Sequence, residues 1–230
     1  MCARIVPDAI DELMARIFLL SPAHCGGNRA RIVMSERATF SLAVRLRSEA
    51  GAPLGEVFSF LSGLYFRGKL AYARAFAAPP EPRSALCESG VFAITPTAGL
   101  RSVDTIVTRE ALQRFARVDV DPADARYRRP LEQSARALAA DIGPDCDVVL
   151  LGSIASPKYV DVLLKIFDGR LLFPLDFVGR GDMSRGGLML RSAASGEQLT
   201  YVPVAGAIRH GQRPAKLDPK TRVPYRRPAF

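Results

Sequence analysis

Asp147-Val148-Val149-Leu150-Leu151-Gly152, followed by Ser156–Phe167 (Ser-Pro-Lys-Tyr-Val-Asp-Val-Leu-Leu-Lys-Ile-Phe), decides the fold. The first segment is a short, continuous apolar run closed by glycine, as expected of a strand covered on both faces. The second is an amphipathic helix ended near Gly169. Strand, turn and helix in that order form the repeating unit of a layered α/β sheet.

The same grammar is found on either side. Arg16–Leu20 is a second apolar strand, closed by the turn-rich Ser21–Arg29. Residues 31–47 suggest a further strand or hairpin, with Arg31–Met34 and Phe40–Leu46 as its arms. Val57, Phe60, Leu61, Leu64, Leu70, Ala71 and Ala75 recur at spacings near three and four, predicting one long helix over 56–76, stopped by Pro79-Pro80-Glu81-Pro82. Val91–Thr95 predicts a strand, Arg109–Ala116 a short helix, and Pro130–Ile142 a helix ended by Gly143-Pro144. Leu171–Phe173 predicts a strand, and Leu188–Arg191 with Gln198–Val204 a C-terminal hairpin. The expected architecture is a three-layer αβα sandwich with a mostly parallel or mixed central sheet. The expected organisation is an N-terminal extension over 1–13, one α/β domain over 14–208 and a basic C-terminal tail over 209–230.

Bulk properties narrow the partners. Within the net charge of +9, the tail from Arg209 carries seven Lys or Arg against Asp218 alone. Such a tail suits phosphate backbones, anionic lipid or an acidic protein. No apolar run reaches the roughly 20 residues of a membrane span, and Asp8, Asp11 and Glu12 interrupt any export-signal core. Cys2, Cys25, Cys87 and Cys146 show no CxxC, and with only His24 and His210 they form no zinc-binding spacing. The expectation is a cytoplasmic chain with reduced thiols, no metal and no cofactor.

In open α/β sheets, ligands sit where loops leave the carboxyl ends of strands. Four loops qualify: 21–29, 95–104, 152–158 and 174–187. The last is the richest, with Gly179, Arg180, Gly181, Asp182, Ser184 and Arg185. Glycines let backbone amides approach an anion, and guanidinium groups grip phosphate at two points. The alternative is a tight connection before a hairpin. Neither a Walker loop nor an opening GxGxxG is present. In 21–29, Asn28 is suited to orient a base or a water, or to supply a left-handed turn, and Arg29 adds charge. Thr97 belongs to the loop after Val91–Thr95. Tyr65 is placed either to stack on a base or to close the core. Asp176 and Asp182 are the candidate carboxylates for acid–base work; Asp104 and Asp161 are weaker ones.

Four segments in order, IFLLSPA (Ile17–Ala23), GLYFRGKLAYARAF (Gly63–Phe76), FAITPTAGL (Phe92–Leu100) and DVVLLGSIASPKYVDVLL (Asp147–Leu164), carry a resemblance. The chain resembles small bacterial α/β proteins of uncharacterised activity. It is also similar to the uracil-DNA-glycosylase-like domain of archaeal tRNA-guanine transglycosylases, over roughly residues 14–190 and at the level of pattern. That resemblance implies an αβα fold associated with nucleobases or nucleic acid. It transfers no catalytic residue, because Ser21–Asn28 stands where the family has its water-activating loop and Gly179–Gly187 where it has His-Pro-Ser. The expected function is a nucleic-acid- or nucleotide-associated domain acting on an N-glycosidic bond. The alternative is a non-catalytic module that binds a nucleotide or an acidic partner.

Overall fold

The computed structural model describes residues 14–208 together with 211, 212, 214 and 215. The expected extension over 1–13 and most of the expected basic tail lie outside the described residues. In chain order the elements are β1 (Arg16–Leu20), α1 (Asn28–Met34), α2 (Ser41–Arg47), β2 (Ala52–Pro53), α3 (Leu54–Ser62), α4 (Leu64–Phe76), β3 (Val91–Thr95), β4 (Gly99–Ser102) and β5 (Ile106–Val107). They continue with α5 (Arg109–Ala116), α6 (Ala125–Asp141), β6 (Asp147–Leu151), α7 (Pro157–Phe167), β7 (Leu171–Pro174), α8 (Asp182–Ser195) and β8 (Tyr201–Pro203).

Six strands form one sheet in the order β4-β3-β1-β6-β7-β8, and β2 pairs with β5 separately. The four inner strands are parallel, and the edge strands β4 and β8 run antiparallel to their neighbours. The register runs Phe18 to Val91 on one side of β1 and Phe18 to Val149 on the other. Central strands are apolar because both sheet faces are covered: β3 is buried along its whole length, and β1 and β6 after their first residue. Helix α4 packs on β1 and β3 with α3 and α8 against it, while α6 and α7 pack together over β3, β4 and β7. The right-handed rule for parallel crossovers assigns these two groups to opposite faces, since β1 to β3 and β6 to β7 move in opposite directions along the sheet. The expected α/β sandwich is the observed one.

The local departures have physical causes. Residues 31–34 and 41–46 lie in the seven-residue helices α1 and α2 rather than in strands, with Phe40 as the N-cap of α2. The long helix over 56–76 is two helices, broken at Gly63, whose φ of 64° a side chain would resist. The Arg29 guanidinium lies where a Cβ on that glycine would be. The helix expected from Pro130 begins earlier, at Ala125, because Asp124 caps it by accepting from the Arg126 amide at 2.8 Å. Leu188–Arg191 belongs to α8, so the expected hairpin does not form; β8 pairs with β7 instead.

Helices α4 and α8 cross with their backbones nearly touching. A Cβ on Gly68 would stand 2.6 Å from the Gly186 carbonyl oxygen, and one on Gly186 would stand 2.9 Å from that of Leu64. Glycine at both positions lets α8 lie directly on the helix that carries Tyr65 and Lys69.

Candidate functional site

Because β1, β3, β6 and β7 are parallel, the loops that follow them all leave from one edge of the sheet. From β1 the chain moves outward to β3, then returns to place β6 on the other side of β1. The strand order therefore reverses between β1 and β6, and the loops after these two strands diverge there, as at the ligand crevices of open α/β sheets.

Ser21 stands at that point. Its amide donates to the Leu151 carbonyl at 3.1 Å, continuing the β1–β6 ladder by one residue. Lys69 reaches it from α4: Nζ donates to the Ser21 carbonyl at 2.7 Å and to Ser21 Oγ at 2.8 Å. The lysine is fully buried, and its Nζ lies 4.4 Å from the ring centre of Tyr65 and 4.8 Å from that of Phe66. Among the described residues no carboxylate lies within ion-pair distance of Lys69. Loss of hydration pulls its ammonium down from the usual lysine value to about 7; Asp182 opposes the shift and Arg185 adds to it.

Tyr159 and Arg185 also close around this pair, together with the Tyr65 hydroxyl. Tyr159, in the first turn of α7, donates to the Ser153 carbonyl at 2.9 Å. Its hydroxyl lies beside Ser21, and a Cβ on Gly152 would fall 2.8 Å from both the Ser21 Cβ and the Tyr159 hydroxyl. Only glycine lets the turn after β6 pass so close to Ser21. The Tyr65 hydroxyl is buried beside the Arg185 guanidinium, which favours its charged form, and makes no hydrogen bond of ordinary geometry among the described residues. Burial pushes this phenol well above its ordinary range.

The residues suggested by sequence separate into two groups. Tyr65, Asp182 and Arg185 converge near Lys69, with the carboxylate exposed and Arg185 Nη1 3.6 Å from Asp182 Oδ1. Arg185 is not a free phosphate fork, however. Its Nε and Nη2 both donate to the Phe177 carbonyl, at 3.1 and 2.8 Å, and fasten the turn before α8. The stretch 179–187 is only partly a loop: Gly179, Arg180 and Gly181 precede α8, while Asp182, Ser184 and Arg185 are in its first turn. Arg180 Nε donates to the Asp176 carbonyl at 2.9 Å, and its Nη1 reaches Ser184 Oγ and the Ala215 carbonyl, each at 3.5 Å. Asp176 itself is exposed.

The other group lies on other elements. Asn28 is exposed on α1, in no left-handed turn, and its side-chain oxygen accepts from Arg31. Arg29 donates to the Phe60 carbonyl at 3.3 Å. Thr97 occupies the turn between β3 and β4, which the Thr95 hydroxyl closes by donating to the Gly99 carbonyl. Sequence reasoning places Lys69 on the helix with Tyr65 and Arg67 but gives it no role, and it does not single out Ser21 or Tyr159. One signal was available: Tyr65, Phe66, Lys69, Tyr72 and Ala73 follow helical spacing, which puts a lysine on an apolar face.

Helix α7 begins at this edge with Ser156 at its N-cap and Pro157 following, and among the described residues no side chain caps its first amides. Helix α8 likewise begins after Gly181 without a side-chain cap. Both present unsatisfied N–H groups and the positive end of a helix. Among the described residues no group of three His, Cys, Asp or Glu could hold a metal ion, and no helix is long and apolar enough to cross a membrane. Cys25, Cys87 and Cys146 are buried free thiols.

In comparisons with known proteins, no family model matches the chain, and no curated protein or solved structure is significantly similar to it.

Proposed function

We propose that this chain binds the phosphate ester of a nucleoside, as a free nucleotide or within a nucleic acid, at the edge where the loops after β1 and β6 diverge. One observation carries the reading. Helix α7 starts immediately beyond the strand-order reversal with its first amides uncapped, behind the close-fitting Gly152 turn. An anion completes such an N-terminus, because the amides point at it and the helix dipole favours it. Exposed Lys158 in the first turn of α7 supplies positive charge at this terminus. The uracil-DNA-glycosylase-like resemblance and the basic tail belong to this proposal, the tail adding sequence-independent affinity.

The test turns the uncapped terminus against the ligand. Replacing Ser156 with Asp caps the α7 amides and places a carboxylate where the phosphate would sit. The free S156D protein should gain about 0.5–1 kcal/mol of stability. Its affinity for nucleoside monophosphates and short oligonucleotides, measured by titration calorimetry, should fall tenfold or more. An unchanged affinity in S156D, or no binding by the wild-type chain at millimolar ligand, overturns the reading. Truncation after residue 208 should flatten the salt dependence of oligonucleotide binding. Release of free base from the bound ligands would separate N-glycosidic cleavage from binding alone.

A further inference from the structure

We infer that Ser21 and Lys69 form a nucleophile–base dyad for acyl transfer, with Ser21 attacking the carbonyl of an ester or similarly activated acyl group. The inference rests on geometry independent of the phosphate-binding proposal. Ser21 Oγ and Lys69 Nζ are 2.8 Å apart, within the hydrogen-bond reach a serine and its base require. The lysine is fully buried and rigidly seated: a second bond to the Ser21 carbonyl and the rings of Tyr65 and Phe66 fix its amine on the hydroxyl. Ser21 sits at the end of β1 on the ligand-bearing edge, and the Gly152 turn leaves room for its side chain.

A lysine serves as general base only when neutral. The groups facing Lys69 decide its charge: Ser21 oxygens after β1, Tyr65 and Phe66 on its own helix, and Asp182 and Arg185 on α8. Tyr159 on α7 faces the serine side of the pair. Desolvation outweighs Asp182, so a large share of the amine is neutral at neutral pH. Neutral Lys69 takes the Ser21 hydroxyl proton as Oγ bonds to the acyl carbon. The resulting ammonium returns that proton to the leaving alcohol, whose bond to the acyl carbon breaks, leaving an acyl-serine ester. Water then attacks the ester, Lys69 takes the water proton and passes it to Oγ, and the free carboxylic acid departs.

The probe is phenylmethanesulfonyl fluoride, a serine-directed reagent, applied to a serine that is 6% exposed. Attack forms an Oγ–sulfur bond and expels fluoride, and Lys69 takes the proton. Full-length protein treated across pH 6–9 should be sulfonylated at Ser21, located by peptide mass spectrometry, at a rate that rises with a midpoint near 7, where Lys69 loses its proton. Lys69→Met keeps the volume and should slow the modification about 100-fold or more, the usual contribution of a general base. Ser21→Ala should abolish it. Because K69M can also perturb folding, Ser21→Cys gives a second measurement that leaves Lys69 in place. Its alkylation by iodoacetamide should follow a thiolate that forms below the ordinary value near 8.5, because neutral Lys69 takes the thiol proton and the ammonium so formed pairs with the sulfur. Ser21 left unmodified in the wild type, equal modification in folded K69M, or an ordinary thiol profile in S21C each overturns the dyad.

Discussion

Two cations lie against aromatic rings at opposite ends of the same strand, and their surroundings differ in one decisive respect. At the amino end of β1, Arg16 pairs with Asp147 at 3.1 Å, donates to Gln198 at 2.6 Å and lies 4.8 Å from the Tyr201 ring centre. At the carboxyl end, among the described residues, Lys69 donates to uncharged oxygens of Ser21 and lies against ring faces, with Asp182 beyond ion-pair distance. The arginine has its counter-charge in Asp147, so it ties the strand ends together. The lysine is desolvated without a carboxylate partner, so its charge depends on pH and on what approaches the adjacent loops. The amino end is built for stability, and the carboxyl end keeps a group able to exchange a proton.

The largest expected effect comes from removing the lysine side chain. Lys69→Ala should cost about 2–5 kcal/mol in denaturant unfolding, the range for emptying a long side chain from a core. Lys69→Met restores the volume and removes the buried charge. It should recover most of that loss at pH 6 and can exceed the wild type, because the charge carries no ion pair to lose. If K69M is as unstable as K69A, the bonds to Ser21 outweigh desolvation and the contrast between the strand ends fails.

The second effect is a pH dependence with a definite sign. The folded-state value of Lys69, about 7, lies below its ordinary 10.5. Between these values the unfolded chain binds more protons than the folded one, so this group adds stability as pH rises. Below about 7 the lysine is charged in both states and its full desolvation penalty is present. Buried tyrosines and cysteines raised above their normal values act in the opposite direction at alkaline pH. The difference between wild type and K69M cancels them, and that difference should climb by a few kcal/mol from pH 7 toward pH 10. A flat difference would mean that Lys69 is hydrated or paired and equivalent to Arg16.

The helix crossing offers a third test, confined to the carboxyl end. Gly68→Ala places a methyl group 2.6 Å from the Gly186 carbonyl, a rigid backbone atom. Parting the helices to relieve the clash should cost about 1–3 kcal/mol. It also draws Asp182 and Arg185 away from Tyr65 and Lys69. The Ser21 modification rate should change in G68A while the Arg16 end keeps its contacts.

The difference between the two ends also marks what the sequence could reveal. β1 and β6 were legible because strands covered on both faces are apolar throughout, and α7 because eleven residues suffice to display helical periodicity. Helices α1 and α2 were not, since seven residues span about two turns and Arg31–Met34 can be read as either element. Helix α8 was obscured by Gly186 and Gly187, poor helix formers, of which Gly186 is required by the contact with α4. Arg185 was noticed for its charge, but its bonds to the Phe177 carbonyl depend on a turn that composition does not reveal. Lys69 was visible on an apolar stripe. Its partner was not, because the position of Ser21 beside Leu151 follows from β1 and β6 being neighbours although about 130 residues apart.

At the amino end, Asp147→Asn removes the counter-charge of Arg16 and keeps the shape. The pair is mostly buried, with side-chain exposures of 18% and 15%, so the loss should be about 1–2 kcal/mol. Gln198 continues to accept from the guanidinium and limits the damage. The stability difference between wild type and D147N should stay level from pH 7 to 10, where that of K69M climbs. A climb in both would trace the pH dependence to the whole sheet rather than to one desolvated amine.

The smallest effect is the most discriminating for the site. Among the described residues the buried Tyr65 hydroxyl makes no hydrogen bond of ordinary geometry, with the Arg185 guanidinium beside it, so Tyr65→Phe removes an under-satisfied polar atom and leaves the ring over Lys69 in place. Stability should stay level or rise by up to about 1 kcal/mol, since deleting an unpaired buried group recovers its desolvation penalty. In a closed core that would be the whole consequence. At a ligand-bearing edge the hydroxyl is a donor waiting for an acceptor, and Y65F should then weaken nucleotide binding several-fold without loss of stability. Thermal melts and titration calorimetry on the same preparation separate the cases. A more stable protein that binds less tightly assigns the hydroxyl to ligand, and a destabilised one assigns it to Arg185.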